Sequence, residues 1–320
     1  MIRVAVLDDY QNVARRYVDW SSLGDDVTVD VFGEPLGSEE AAARLADYDV
    51  LCLMRERLPL PRSLIEKLPR LKLVVVTGGR VRVIDFDAAV AQGITVCHTS
   101  AGESEHATPE LAWALILAAA RHLPDEFQRM REGSWQQTIG TTLGGKTLGL
   151  IGLGKLGSRM APIGRAFGMR VVAWSPNLTQ EKAAPHGAEA VSKTSLFETS
   201  DAISIHIPGG AASKDLVGAA EIDAMKPGAI LVNTSRGPIV NEAALLAALK
   251  EGRIRAGLDV YDIEPLPKDH PLRTAPNVVL SPHLGFVTEG AYRAFYQDTV
   301  DAIQAWRMGK PIRVLAAPGA

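Results

Sequence analysis

The sequence predicts an α/β fold built from two parallel-sheet units in tandem, and three observations predict it. Short, β-branched apolar runs alternate with longer helical patterns from one end of the chain to the other. The runs are continuously apolar rather than alternating, as strands covered by helices on both faces require. The series breaks once, at a long helical stretch over residues 109–121 and a Gly-rich stretch over 140–145, and then starts again. At 320 residues the chain is also long for one core. Two domains of roughly 100–200 residues fit it well.

In the first series, residues 2–7, 27–32, 50–54, 73–76 and 94–96 read as strands, with helical stretches at 39–46 and 64–68. Run 2–7 meets Asp8 and Asp9 at once. It is too short for the apolar region of a secretory signal, which points to a first strand and a cytoplasmic protein. The longest apolar run, 111–120, has about half of the roughly 20 residues a bilayer span needs and reads as a core helix. The second series runs through 148–151, 170–174, 188–191, 202–207, 229–233, 256–260 and 278–280. Residues 292–306 close the chain with apolar side chains at helical spacing. A net charge of −3 leaves no broad basic field for nucleic acid or an anionic membrane. The two cysteines, Cys52 and Cys97, lack metal-ligand spacing and read as reduced core thiols, so no metal site is expected.

The strand at 148–151 runs into Gly152-Leu153-Gly154-Lys155-Leu156-Gly157. With 29 glycines in the chain, the bare pattern is weak. Its context strengthens it: a strand precedes it, Leu156, Met160, Ile163 and Phe167 trace one helix face, and a second strand follows. In such a unit Gly152 allows the tight turn, Gly154 lets backbone approach a pyrophosphate, and Gly157 packs helix on strand. The helix N-terminus then faces the phosphates of a dinucleotide. A Gly-rich turn with no ligand is the competing reading, and the βαβ context disfavours it. The next strand should end in an acid for the ribose 2′-hydroxyl. Ser175 stands there, followed by Pro176 and Asn177. No carboxylate repels a 2′-phosphate and no neighbouring Arg grips one, so both NAD and NADP are expected to serve.

Three later segments carry reactive side chains just past predicted strands. They are 233–241 with Thr234, Ser235 and Arg236, 257–265 with Asp259 and Glu264, and 281–285 with His283 and Gly285. In parallel α/β sheets, ligands bind beyond the carboxyl ends of strands. Taken singly, Arg236 reads as a loop salt bridge, Glu264 as a turn acid and His283 as a satisfied polar residue. Together with the fingerprint they point to chemistry. An imidazole is the natural proton source near neutral pH, a neighbouring carboxylate fixes its tautomer, and a guanidinium fork suits a carboxylate substrate.

With these four segments in this order, the chain resembles the D-isomer-specific 2-hydroxyacid dehydrogenase family over nearly its whole length. The resemblance implies hydride transfer between NAD(P) and C2 of a small 2-oxo or 2-hydroxy acid, with D stereochemistry taken from the family. It implies catalytic roles for Arg236, Glu264 and His283. It also implies cofactor contacts near Lys155, Leu156, Ser175, Pro208, Thr234 and Asp259, with Thr108 on the linking helix and Asp259 anchoring the nicotinamide carboxamide. His206 reads as structural or cofactor-lining. The other five histidines, His98, His106, His122, His186 and His270, lack a comparable set.

The same resemblance implies that the final helix returns to the first domain. Residues 1–100 and 292–320 are then a flavodoxin-like substrate domain, and 101–291 an inserted Rossmann-type cofactor domain. Crossings at Ala101–Gly102 and near Gly290 would act as a hinge, and a homodimer built on the cofactor domain is expected. Arg55 matches a position that often meets substrate. Gly78 and Gly79 would offer backbone amides as a small anion nest, and Arg80 replaces a glycine found in many relatives. These suggest a substrate with a second anionic or strongly polar group. The alternative is that Arg55 and Arg80 face solvent or pair with acids such as Glu56. Among rival functions is oxidation of a one-carbon or inorganic acid, as in formate or phosphite dehydrogenases; formate enzymes pair the His with Gln, and Glu264 argues against that. A non-catalytic NAD-sensing corepressor or a methyltransferase leaves the three side chains without a purpose.

Overall fold

The computed structural model describes residues 1–79 and 81–319; Arg80 and Ala320 fall outside the described residues, as does the side chain of Ser38. The chain divides into two compact units, Met1–Glu103 with Thr288–Ala320, and Ser104–Val287. In chain order the strands are β1 (Ile2–Val6), β2 (Val27–Val31), β3 (Val50–Leu53), β4 (Leu73–Val76) and β5 (Thr95–His98). Then come β6 (Thr147–Ile151), β7 (Arg170–Trp174), β8 (Glu189–Ala190), β9 (Ala202–Ile205), β10 (Ile230–Asn233), β11 (Arg255–Leu258), β12 (Val278–Leu280) and β13 (Val314–Ala316).

The first unit holds a sheet in the order β13-β5-β4-β3-β1-β2. Its strands are parallel except β13, which pairs antiparallel with β5 through Val314 and Cys97. β3 and β4 are buried along their whole length, which explains their unbroken apolar sequence. Leu51, Val74 and Val76 pack with Leu45, Leu64 and Ile65 in one cluster. The long helix Glu289–Arg307 belongs to this unit and packs on β4. It buries Tyr292, Phe295 and Tyr296, and the Tyr296 hydroxyl donates to Asp9 Oδ1 at 3.1 Å. Cys52 and Cys97 are buried and free, and burial pushes both thiols up, Cys97 to about 11.

The second unit holds an all-parallel sheet in the order β12-β11-β10-β9-β6-β7-β8. On one face, Trp113, Leu115 and Ile116 of helix Ser104–Arg121 and Met160 of helix Gly157–Ala166 cover Leu148, Leu150 and Val232. On the other, Leu196, Phe197, Leu245 and Leu249 cover Ile151, Ile203 and Leu231. Strand order reverses between β6 and β9, and such a reversal opens a crevice at the carboxyl ends of the strands. Helix Ser104–Arg121 begins five residues before the sequence reading placed it and carries Pro109 inside. Proline costs that helix only the bond back toward Glu105, near its start, where one lost amide is tolerated. Among the described residues, no helix is long and apolar enough to cross a membrane.

Candidate active site

The glycine fingerprint sits at the end of β6, beside that reversal. Gly152 has φ +96°, and a Cβ there would press on the backbone of His206 at the end of β9. A Cβ on Gly157 would run into the carbonyl of Gly152, so helix Gly157–Ala166 can leave the strand this closely only with glycine. Gly154 differs: a Cβ there meets nothing within 4 Å. Its lack of a side chain serves no packing within the protein, which leaves room for a ligand. Lys155 is exposed and Leu156 half-buried. Ser175 follows β7 and is half-buried, with Pro176 and Asn177 exposed.

Two buried polar atoms nearby lack a hydrogen-bond partner among the described residues: Thr234 Oγ1, just past β10, and His206 Nδ1, just past β9. The other His206 nitrogen, Nε2, is 2.8 Å from Ser204 Oγ, and burial lowers this imidazole to about 4, so it is neutral. Orphaned polar atoms at two strand ends beside an open glycine turn suit a polar ligand such as a dinucleotide. Pro208 is exposed, and its carbonyl accepts from Ser213 Oγ at 3.0 Å.

Asn233, the last residue of β10, shapes the turn that carries Arg236. Its Nδ2 donates to the Arg236 carbonyl at 2.8 Å, and its Oδ1 accepts from Ser235 N at 3.0 Å. The Ser235 hydroxyl donates to Ile205 O at 2.9 Å, so this side chain ties β10 to β9 rather than reaching outward. Arg236 is half-buried, and its Nη1 donates to Ser235 O at 2.7 Å.

Glu264 and His283 meet directly, with His283 Nδ1 2.5 Å from Glu264 Oε2. The second carboxylate oxygen accepts from Tyr261 N at 2.9 Å. Burial pushes this carboxyl up. The bond to His283, the His283 charge, the Tyr261 amide and the Arg236 charge outweigh it and hold the group below its ordinary value. An ionised carboxylate only accepts, so the hydrogen between the pair belongs to Nδ1. Nε2 is therefore the nitrogen left to exchange a proton. Phe286 packs edge-on against the His283 ring at 5.4 Å.

The backbone of His283 sits at φ +54°, a left-handed conformation uncommon for histidine. Asp259 holds it there. Oδ1 accepts from Ser281 Oγ at 2.5 Å and Leu284 N at 2.7 Å, and Oδ2 accepts from Gly285 N at 2.9 Å. The Gly285 carbonyl accepts from Thr108 Oγ1 at 2.7 Å, and Tyr261 donates its hydroxyl to Ser281 O at 2.9 Å. Asp259 is fully buried, and its carboxylate accepts three hydrogen bonds from the His283 loop. A side chain at a strand end can turn to a ligand or to the next loop, and here three donors lie in the loop. Ser281, Tyr261 and Asn233 were missed altogether. An Asn followed two residues later by a turn Ser is a weak local signal for the last of them.

In the first unit, Arg55 has φ +57°, and its N donates to Thr77 Oγ1 at 2.8 Å. Its guanidinium lies where a Cβ on Gly78 would stand, and Gly78 itself has φ +82°, a conformation that favours glycine. The Gly78 amide donates to Thr99 Oγ1 at 2.9 Å. This corrects the anion-nest expectation at Gly78: Thr99, a neighbour across the sheet, takes that amide first. Gly79 is exposed, and Arg80 lies outside the described residues. Glu56 accepts from Arg82 N at 3.0 Å. His270 also has a carboxylate partner, Glu242 at 3.1 Å. Its Nδ1 caps Leu272 N, so both ring nitrogens are spent on structure.

Fold and site together define a dinucleotide-binding α/β protein with a carboxylate-backed histidine at the carboxyl edge of its sheet. Residues 113–285 match the family described as "D-isomer specific 2-hydroxyacid dehydrogenase, NAD binding domain". The chain belongs to that family. It is 38% identical over 288 residues to a glyoxylate reductase of Aeropyrum pernix, covering 87% of this chain and 85% of that one. It is 39% identical over 263 residues to a D-3-phosphoglycerate dehydrogenase of Methanocaldococcus jannaschii, covering 81% of this chain and 50% of the other. The chain thus spans about half the length of that second relative. A solved phosphoglycerate oxidoreductase from Vibrio cholerae superposes with a TM-score of 0.90 at 36% identity, covering 97% of this chain and 100% of that one.

Proposed function

We propose that this protein transfers hydride between NAD(P) and C2 of a small D-2-hydroxy acid or its 2-oxo counterpart. The observation that carries the reading is the 2.5 Å pair of His283 Nδ1 with Glu264, at strand ends that also bear Arg236 and the glycine turn. The turn 152–157 and the N-terminus of helix Gly157–Ala166 hold the pyrophosphate. Thr234 and His206 offer their orphaned atoms to the same dinucleotide. Pro208 and Ser175 complete its contacts, while Thr108, Ser235 and Gly285 support it through the loops they brace. When bound, that cofactor supplies or accepts the hydride at C2.

The protein's own groups do the rest. Arg236 binds the substrate carboxylate and draws electron density from the carbonyl. His283 gives a proton from Nε2 to the developing alkoxide, and takes it back in the oxidative direction. Glu264 stays ionised, stabilises the imidazolium and fixes Nδ1–H toward itself. Asp259, Ser281 and Tyr261 hold the loop so that the ring keeps its place.

Ser175 neither repels nor grips a 2′-phosphate, and both NADH and NADPH are expected to serve, within about two orders of magnitude of each other. The test is oxidation of each reduced cofactor against glyoxylate, hydroxypyruvate, pyruvate and bulkier 2-oxo acids. Turnover of at least one acid supports the reading, and cofactor binding with no turnover of any acid refutes it. We further propose a homodimer. Helix Leu123–Arg131 buries none of its residues, and it and the following segment expose Phe127, Met130, Trp135 and Ile139, the last 94% accessible.

A further inference from the structure

Two cations of the glycine turn converge on a single acid. Lys155, inside the fingerprint, places Nζ 2.7 Å from Glu105 Oε2, and Arg159, in the first turn of the next helix, places Nη2 3.1 Å from Glu105 Oε1. Glu105 stands in the first turn of helix Ser104–Arg121, one turn before Thr108. The bond from Lys155 holds its carboxyl below the ordinary glutamate value.

The helix these cations serve is otherwise prepared for an anion. Its first turn has no acidic residue, and Leu156 at its N-cap offers no side-chain acceptor. Helix dipole and amides therefore favour negative charge there. Glu105 is the acid that already occupies the two nearby cations. A pyrophosphate at that helix N-terminus would bring about two negative charges close to Lys155 and Arg159 and compete with Glu105 for them.

We propose that Glu105 is a built-in counterion of the pyrophosphate loop: it pairs with Lys155 and Arg159 in the free protein and yields them to the dinucleotide on binding. It thereby weakens cofactor binding and speeds release. The inference rests on the dehydrogenase reading, which supplies the dinucleotide. Glu105 acts through the two cations and is a positioning residue, not a catalytic one. Where release limits turnover, a faster exit raises kcat, and a competing internal acid is one way to obtain it.

The test measures Kd of NADH, NADPH and ADP-ribose on the full chain by calorimetry, with adenosine as the ligand lacking pyrophosphate. Glu105→Gln should tighten the three pyrophosphate-bearing ligands by about threefold or more at low salt, slow their release, and leave the adenosine Kd unmoved. The gain should shrink at about 1 M salt and vanish in a Lys155→Met, Arg159→Met background. Glu105→Asp, which keeps the charge, should stay near wild type. Unchanged or weaker binding by Glu105→Gln, with its melting temperature preserved, overturns the counterion alone. A wild-type chain that binds neither ADP-ribose nor reduced cofactor overturns the dehydrogenase reading and this inference together.

Discussion

At the scale of single residues, the site depends on where protons sit. His206 is buried and neutral, lowered from 6.5 to about 4 by burial alone. In the unfolded chain it takes up a proton as pH falls through about 6.5, and in the folded chain it resists until about 4. The unfolded state then binds more protons, so stability is full above the unfolded value and lost progressively across that window. The loss is on the order of 3 kcal/mol. Urea unfolding of wild type and His206→Gln at a series of pH values checks it, the variant losing this part of the slope. Arg236, Glu264 and His283 were legible because each sits in a short segment beside a strand end. Their supports were not. The bonds from Asp259 to Leu284 and Gly285, and from Gly78 to Thr99, join residues 25, 26 and 21 apart, and depend on strand register. Register across a parallel sheet is set by packing rather than by local sequence.

At the scale of elements, the glycine turn separates two functions that one motif usually blurs. Gly157 is required by the fold, since its Cβ would strike the Gly152 carbonyl. Gly154 has open space around it, so no packing within the described residues requires it, and the proposed dinucleotide is what would. Gly154→Ala should therefore keep the wild-type melting temperature within about 2 °C while weakening NADH binding about tenfold or more. Gly157→Ala should lower the melting temperature as well. Calorimetry and thermal unfolding on both variants read the difference, and an unchanged NADH Kd in Gly154→Ala would count against a dinucleotide at this turn. Most strands were readable because helices cover both faces and the runs are unbroken. β13 was not: one exposed and two half-buried residues pairing antiparallel at a sheet edge leave no such run. Helix Leu123–Arg131 was missed although Leu123, Phe127 and Met130 recur at helical spacing, because the segment is short, largely charged and buries none of its residues.

At the scale of the molecule, two parallel sheets in tandem were legible from the interrupted series of apolar runs. The exposed apolar residues on 127–139 were not interpretable from sequence, because an apolar side chain reads as core until burial is known. Covering them with a second copy predicts that sedimentation gives twice the 34.3 kDa chain mass. The double variant Trp135→Glu, Ile139→Glu should shift it toward monomer, and a monomeric wild type would remove the homodimer proposal.

The proposed chemistry has Arg236 and the Glu264-backed His283 act on one substrate beside a nicotinamide. Its most direct measurement is the fate of deuterium from deuteride-labelled NADH in a single turnover with a 2-oxo acid. Label should appear at C2 of a D-hydroxy acid, with His283→Gln slowing its appearance by about a hundredfold or more while NADH binding persists. Label that never reaches C2 with any acid, or that arrives at the wild-type rate without His283, would contradict it.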